Sequence, residues 1–159
     1  MKSVLITPAG YRDLQDELAA RWRERREIVQ HLSAAAAEGD RSENAEYQYR
    51  KKQLRELDRR LRYLQKRLPE LRPVEQLPDD RERVFFGAWV TLRAEDDSRV
   101  CYRIVGADEF DPAQGWISVD SPLSRALLGR RLDDLVRVET PQGPREYDIE
   151  GVSYHPPTG

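Results

Sequence analysis

Two long runs of helix-forming sequence, separated by one glycine, constrain the fold of this chain more than any other feature. The second run places apolar side chains at spacings of three and four after a first gap of seven: Tyr47, Leu54, Leu57, Leu61, Leu64, Leu68 and Leu71. The first run has a looser apolar stripe: Tyr11, Leu14, Leu18, Trp22, Val29 and Leu32. A sustained three-four alternation is typical of a coiled-coil seam. The sequence therefore predicts two helices that pack along one seam.

The ends of both runs carry helix-boundary signals. Thr7 is a suitable N-cap and Pro8 fits the first helical position. Gly39 ends the first helix, the second begins near residues 40–42, and Pro69 ends or kinks it. A short connection makes the helices antiparallel, and ~30 residues each give a rod of roughly 45 Å. We expect residues 1–72 to form an antiparallel coiled-coil hairpin that works as a probe or a dimer arm.

The remainder of the chain changes from helical to alternating periodicity. Residues 73–82 are proline-rich and acidic, which is typical of a linker, and residues 83–159 form a second domain. Its predicted strands are Trp89–Arg93, Val100–Val105, Trp116–Val119, Leu135–Val138 and Arg145–Ile149. A short helix opens at Ser121-Pro122 and ends at Gly129. The predicted fold class is α+β, a helical hairpin followed by a small α+β domain.

Composition limits where the protein works. Charged residues make up 35% of the 159 residues, and no run of 18 apolar residues is present. The N-terminal sequence lacks the apolar region of a signal peptide. Cys101 is the only cysteine, so an internal disulfide cannot form. We expect a cytoplasmic protein without a membrane span.

Charge is distributed unevenly along the chain. Residues 21–67 carry a net charge of +6, whereas the rest carries −8. A basic element attached to an acidic body suits contact with nucleic acid or a phosphate-rich cavity. A solvated helix with ion pairs four residues apart explains the same pattern, so charge alone leaves both interpretations open.

Four carboxylates crowd into residues 38–46, between the two helices. Asp40 and Glu43 are three residues apart and share a face once the second helix has begun. Such a pair can hold Mg²⁺, which keeps several waters and takes one or two protein carboxylates. The same spacing is also a capping box, in which Asp40 caps the helix and Glu43 reaches back. Ser42 could be the cap instead.

Basic residues follow this tip. The candidates for contact with RNA are Arg50, Lys51, Lys52, Arg55 and Arg59. Tyr47 and Tyr49 lie between the tip and these residues, where an aromatic ring could stack on a base. Tyr47 matches the seam and is expected to pack there, while Tyr49 is more available.

Several segments resemble one family in order along the chain. Residues 39–49, Gly-Asp-Arg-Ser-Glu-Asn-Ala-Glu-Tyr-Gln-Tyr, resemble the tip of the bacterial Gre transcript-cleavage factors, and the basic residues 50–52 resemble the GreB branch more than GreA. Residues 84–90 and 120–128 are also similar to the family. The resemblance extends from Leu5 to about Tyr154.

The resemblance implies a fold and a partner. The C-terminal domain would be FKBP-like, and the protein, a monomer, would bind RNA polymerase core in elongation complexes. The hairpin would enter the secondary channel, where Asp40 and Glu43 would help polymerase hold a second Mg²⁺ and cleave the extruded 3′ end of backtracked RNA. The chain would be an accessory factor, not an enzyme. Its loop at Asp120, Ser121 and Pro122 would dock on polymerase.

Three other functions remain open at this point. A Gre-like channel binder could inhibit polymerase without promoting cleavage, although the intact Asp40 and Glu43 argue against it. An FKBP-like fold alone suggests a prolyl isomerase, but fold does not imply function. A dimeric coiled coil could bind RNA nonspecifically, yet Gly39 and Pro69 favour a hairpin within one chain.

Overall fold

The computed structural model describes residues 2–37 and 45–157, which divide between two compact units. One unit is Tyr11–Leu71, and the other combines the residues up to Gly10 with those from Arg72 onward. The division differs from the predicted range of 1–72 at its N-terminal end, because the first residues fold with the second unit. Within the described residues, neither long helix has an uncharged apolar stretch of the length that a membrane span requires.

Two helices make up the first unit. α1 runs over Pro8–Ala37 and α2 over Ala45–Arg67. Thr7 caps α1 as predicted, because its hydroxyl accepts a hydrogen bond from the Gly10 N–H at 3.1 Å. α2 gives way to a single 3-10 turn at Leu68–Glu70, where the ring of Pro69 cannot continue an α-helical hydrogen-bond ladder.

Contacts between α1 and α2 show that the helices are antiparallel. Arg60 binds Glu17 early in α1, whereas Asp58, earlier in α2, binds Arg25 farther along α1. Their shared apolar core consists of buried Ile28, Leu57 and Leu61 with half-buried Leu18 and Leu54. The predicted hairpin packing is therefore confirmed.

The predicted seam of α1 is wrong at two positions. Trp22 and Val29 are 37% and 36% exposed, while Ile28 is buried at 2% exposure. The true seam keeps the three-four spacing from Leu14 to Ala35, with Arg21 and Arg25 at two of its positions. An apolar pattern does not include these arginines, because only the aliphatic part of each side chain packs in the seam while its guanidinium reaches a carboxylate.

The second unit is built on a five-stranded sheet. In chain order its strands are β3 (Trp89–Ala94), β4 (Arg99–Val105), β5 (Trp116–Ser118), β6 (Leu135–Thr140) and β7 (Gly143–Ser153). Their order across the sheet is β5-β4-β3-β7-β6. All neighbours are antiparallel except β4 and β5. The five predicted strands are confirmed, with β6 and β7 longer than expected.

One face of this sheet packs on a short helix, α3 (Pro122–Leu127). The buried residues of this core are Val84, Ala88, Val90, Leu92, Ile104, Val119, Leu127, Val136, Val138 and Ile149. β3 and β7 lose one residue of register between Thr91 and Leu92, which leaves Glu150 as an extra residue. The Glu150 carboxylate forms ion pairs with Arg93 Nε at 3.5 Å and with Arg99 Nε at 2.6 Å. The predicted α+β class is confirmed.

A second, two-stranded sheet joins the chain segments that flank the hairpin. β1 (Leu5–Ile6) pairs in parallel with β2 (Arg72–Pro73). The Val74 N–H then donates to the Ile6 carbonyl at 2.9 Å. The start of the predicted linker at residues 73–82 is therefore hydrogen-bonded, because it adds to the strand that precedes α1.

Candidate functional site

The predicted metal ligands Asp40 and Glu43 lie outside the described residues, as do all of residues 38–44. The fourth tip carboxylate in the chain direction, Glu46, is described. It accepts a hydrogen bond from Arg50 Nε at 2.9 Å, one turn along α2. Residues 2–37 and 45–157 contain no cluster of three side chains able to hold a metal ion.

Arg50 occupies the seam position in the predicted gap between Tyr47 and Leu54. Its side chain is 25% exposed. Besides the ion pair with Glu46, it donates a hydrogen bond to Gln53 Oε1 at 3.1 Å. The structure thus places this candidate RNA contact along the hairpin seam, where its guanidinium is already hydrogen-bonded to two side chains of α2.

The other four candidate RNA contacts, Lys51, Lys52, Arg55 and Arg59, are all exposed. None of them forms an ion pair with a carboxylate of the described chain. The Lys51 ammonium instead lies 6.0 Å from the centre of the Tyr47 ring. These side chains remain available to phosphate.

The exposed cations of α2 form a longer line than the sequence predicts. Spacings of four, four, three and four align Lys51, Arg55, Arg59, Arg62 and Lys66 on the side of α2 away from the seam. We call these five residues the basic stripe. It extends roughly 22 Å along the helix. Helical spacing was the signal that could have added Arg62 and Lys66 to the candidates.

A charged cluster crosses the hairpin away from the tip. Glu17 accepts two hydrogen bonds from Arg60, Nε to Oε2 at 2.7 Å and Nη2 to Oε1 at 2.8 Å. Arg21 Nε donates to the same Oε2 at 3.0 Å. The hydrogen bond from Arg60 lowers the pKa of Glu17 to about 2, opposed by burial and helped by Arg21. We call this cluster the Glu17 clamp.

The predicted docking loop has structural roles within the second unit. Asp120 Oδ2 accepts a hydrogen bond from the Ser3 N–H at 2.8 Å. Ser121 caps α3 as predicted, because its hydroxyl accepts the Ser124 N–H at 3.1 Å. Pro122, at the first position of that helix, is exposed. The ring of Pro122 is thus the part of the loop most open to a partner.

Sequence reasoning missed Glu109, which binds residues 7–10 at the start of α1 within the second unit. Its carboxylate accepts hydrogen bonds from the Thr7 and Gly106 N–H groups at 3.0 and 2.7 Å, and from the Thr7 hydroxyl. Gly10 packs so closely against this carboxylate that a Cβ would overlap it. Since Thr7 and Glu109 are 102 positions apart, no local pattern could have indicated the contact.

Two family models together match most of the chain. "Transcription elongation factor, N-terminal" matches residues 4–72, and "Transcription elongation factor, GreA/GreB, C-term" matches residues 78–154. Together they cover both the hairpin and the sheet-containing unit.

Individual proteins give the same result. Transcription elongation factor GreB of Yersinia pestis is 53% identical over 156 residues, which are 98% of this chain and 91% of that protein. The GreB of Haemophilus influenzae is 56% identical over 143 residues, 89% and 90% of the two chains. A solved structure, the GreA factor homolog 1 (Gfh1) of Thermus thermophilus, is similar at 24% identity and a TM-score of 0.45, covering 96% of this chain and 99% of that one. The two family matches and the identities to the two GreB proteins show that the chain belongs to the GreA/GreB family of transcription elongation factors.

Proposed function

We propose that the protein enters the secondary channel of RNA polymerase and stimulates the polymerase's own cleavage of backtracked RNA. The hairpin is the inserted element, and its tip at residues 38–46 reaches the polymerase active site. In this role the chain is an accessory factor that acts as a monomer in the cytoplasm, on elongation complexes. RNA polymerase core and the 3′ end of nascent RNA are its partners.

The basic stripe is the observation that carries this proposal. Its exposed cations start at Lys51, a few residues beyond the acidic tip, and no carboxylate of the described chain neutralises them. RNA phosphates attract such a line of charges without regard to base sequence. An acidic tip next to the basic stripe suits a factor whose tip binds a metal ion while the side of its hairpin binds RNA.

Asp40 and Glu43 would hold a Mg²⁺ ion jointly with polymerase. Carboxylate oxygens are the donors this ion prefers, and two suffice when another molecule supplies the remaining ligands. When bound, the ion activates water and stabilises the leaving oxygen of a phosphodiester. The chain's own residues orient the RNA and place the two carboxylates. Pro122 and its neighbours in the docking loop anchor the factor on polymerase.

RNA shortening in a backtracked elongation complex tests this proposal. The 3′-proximal RNA is labelled, Mg²⁺ is present, and wild type is compared with Asp40→Ala/Glu43→Ala. We expect wild type to shorten the RNA rapidly and the double variant to bind polymerase but lose at least 100-fold in rate. Glu46→Ala is the matched control, because it removes a nearby carboxylate already paired with Arg50.

Two outcomes would contradict the proposal. Wild type that binds without shortening RNA would identify an inhibitor of polymerase instead. A double variant that cleaves as fast as wild type would remove the tip carboxylates from the mechanism.

A further inference from the structure

One half-buried carboxylate, that of Glu109, holds the first turn of α1 within the second unit. Its Oε2 accepts hydrogen bonds from the Thr7 and Gly106 N–H groups at 3.0 and 2.7 Å, and its Oε1 accepts one from the Thr7 hydroxyl. The Thr7 hydroxyl in turn accepts the Gly10 N–H at 3.1 Å, and Thr7 is only 3% exposed. We call this network of Thr7, Gly10, Gly106 and Glu109 the root contact. Its carboxylate also complements the positive end of the helix dipole.

α1 carries the position of its first turn into the hairpin. It is a single helix over Pro8–Ala37, and the hairpin unit begins at Tyr11 without a break in that helix. Its 30 residues give a length of about 45 Å. A rotation of ~10° about the first turn would therefore displace the far end by roughly 8 Å. Catalytic groups, in contrast, lose much of their effect when they are misplaced by about 1 Å.

The chain that leads into the root contact is also bound to the predicted docking loop. The Ser3 N–H donates to Asp120 Oδ2 at 2.8 Å. Leu5 and Ile6 follow, paired with β2, and Ile6 is fully buried. Residues 3–7 are thus one bound stretch of chain between the docking loop and the start of α1.

We propose that Glu109 is a positioning residue for RNA cleavage. By holding Thr7 and the first turn of α1, it keeps Asp40 and Glu43 presented to the metal ion while the docking loop is anchored on polymerase. The inference rests on the proposed function and adds a residue, far from the tip in sequence, that sets how efficiently the bound factor works. Loss of the root contact leaves the docking loop and the basic stripe in place. Binding therefore continues, while fewer of the bound complexes reach the cleavage geometry.

The test measures the rate of RNA shortening against the concentration of full-length factor in backtracked complexes. We expect Glu109→Ala to lower the maximum rate at least tenfold and to change the half-maximal concentration less than twofold. Glu109→Gln should keep at least a third of the wild-type maximum rate, because its oxygen can accept both N–H groups and its amide can donate to the Thr7 hydroxyl. Gly10→Ala displaces the carboxylate from the other side and should also lower the maximum rate. Combined with Glu109→Ala, it should lower that rate no further.

Val136→Ala is the control for lost stability. Val136 is 1% exposed in the core of the second unit and is not part of the root contact. A less stable factor has a smaller folded fraction, which raises the half-maximal concentration but leaves the maximum rate at saturation unchanged. Hydrogen exchange of the same variants reports on the root contact itself. Glu109→Ala should speed exchange of the Thr7 and Gly106 amides at least tenfold relative to the amides of β3 and β7.

Several outcomes would overturn the proposal. One is a Glu109→Ala factor that reaches the wild-type maximum rate, or whose only change is a higher half-maximal concentration. Another is a loss of maximum rate in Val136→Ala or Glu109→Gln as large as in Glu109→Ala.

The same assay separates this inference from the function beneath it. If wild type shortens no RNA, the proposed function fails. If wild type shortens RNA and every variant reaches the same maximum rate, only the positioning role of Glu109 fails.

Discussion

Glu17 shows how one carboxylate can link the two helices of the hairpin. Arg60 grips it with two hydrogen bonds from α2, and Arg21 adds a third from its own helix. A bidentate ion pair between a guanidinium and a carboxylate has a preferred geometry in addition to the attraction between its charges. Because its partners lie on both helices, Glu17 helps set the register in which they pack.

Replacing Glu17 with Gln should lower the free energy of unfolding at neutral pH by about 0.5–1 kcal/mol, the range of partly exposed ion pairs. The pKa of Glu17 is lowered to about 2 in the folded chain, from 4.5. The stabilisation is therefore complete above about pH 4.5 and is lost as the pH falls toward 2. Urea unfolding of both chains across this pH range would show the difference shrinking. Glu27→Gln, at an exposed glutamate of the same helix, is the control, and a difference as large at pH 2 as at pH 7 would contradict the clamp.

Gly10→Ala should destabilise the protein by ~1–3 kcal/mol, although alanine normally favours a helix by ~1 kcal/mol over glycine. The added methyl group would displace the Glu109 carboxylate from its hydrogen bonds with Thr7 and Gly106. Chemical denaturation would measure the loss. In a Glu109→Ala background the same change should become neutral or stabilising, because the obstructing carboxylate is gone. Equal losses in both backgrounds would show that another contact is responsible.

Local patterns predicted some residue roles and missed others. The caps at Thr7 and Ser121 follow from sequence, because capping involves only the next three residues. The role of Glu109 does not, since its partner Thr7 is brought near only by the completed fold.

At the scale of whole elements, the two helices differ in how well sequence predicts them. In α2 the leucines Leu57, Leu61 and Leu64 are buried as their spacing predicts. In α1 the apolar pattern selected Val29, one position beyond the buried Ile28. Two arginines occupy the seam there: Arg25 pairs with Asp58 of α2, and Arg21 pairs with Glu17, which Arg60 of α2 also binds.

The basic stripe should determine the salt dependence of action on RNA. Arg55→Gln/Arg59→Gln removes two exposed cations, and a single-stranded phosphate contact contributes roughly 0.7 to the slope of log affinity against log salt. We expect the slope to fall by roughly 1.4, and the concentration of factor needed for half-maximal RNA shortening to rise. Arg12→Gln/Arg23→Gln, two exposed cations of α1, should leave the slope unchanged. Equal slopes for wild type and both double variants would contradict a phosphate-binding role of the basic stripe.

For the molecule as a whole, periodicity predicted the two parts and the end of the hairpin, but not that the residues up to Gly10 fold with the second part. The hairpin and the sheet unit follow from the change of spacing after Leu71. The assignment of residues up to Gly10 to the second unit does not, because it depends on pairing between β1 and β2, 67 positions apart at Leu5 and Arg72. Two-residue strands are too short to leave a period in the sequence.

The central claim is that Asp40 and Glu43 supply ligands for Mg²⁺ inside polymerase. The most direct measurement is the rate of RNA shortening against Mg²⁺ concentration, with each factor saturating the backtracked complex. We predict that Asp40→Asn/Glu43→Gln raises the Mg²⁺ concentration for half-maximal rate at least tenfold while binding polymerase as wild type does, because neutral amides are weaker ligands. Identical Mg²⁺ dependence for the two proteins, at equal occupancy of polymerase, would contradict metal binding by the tip.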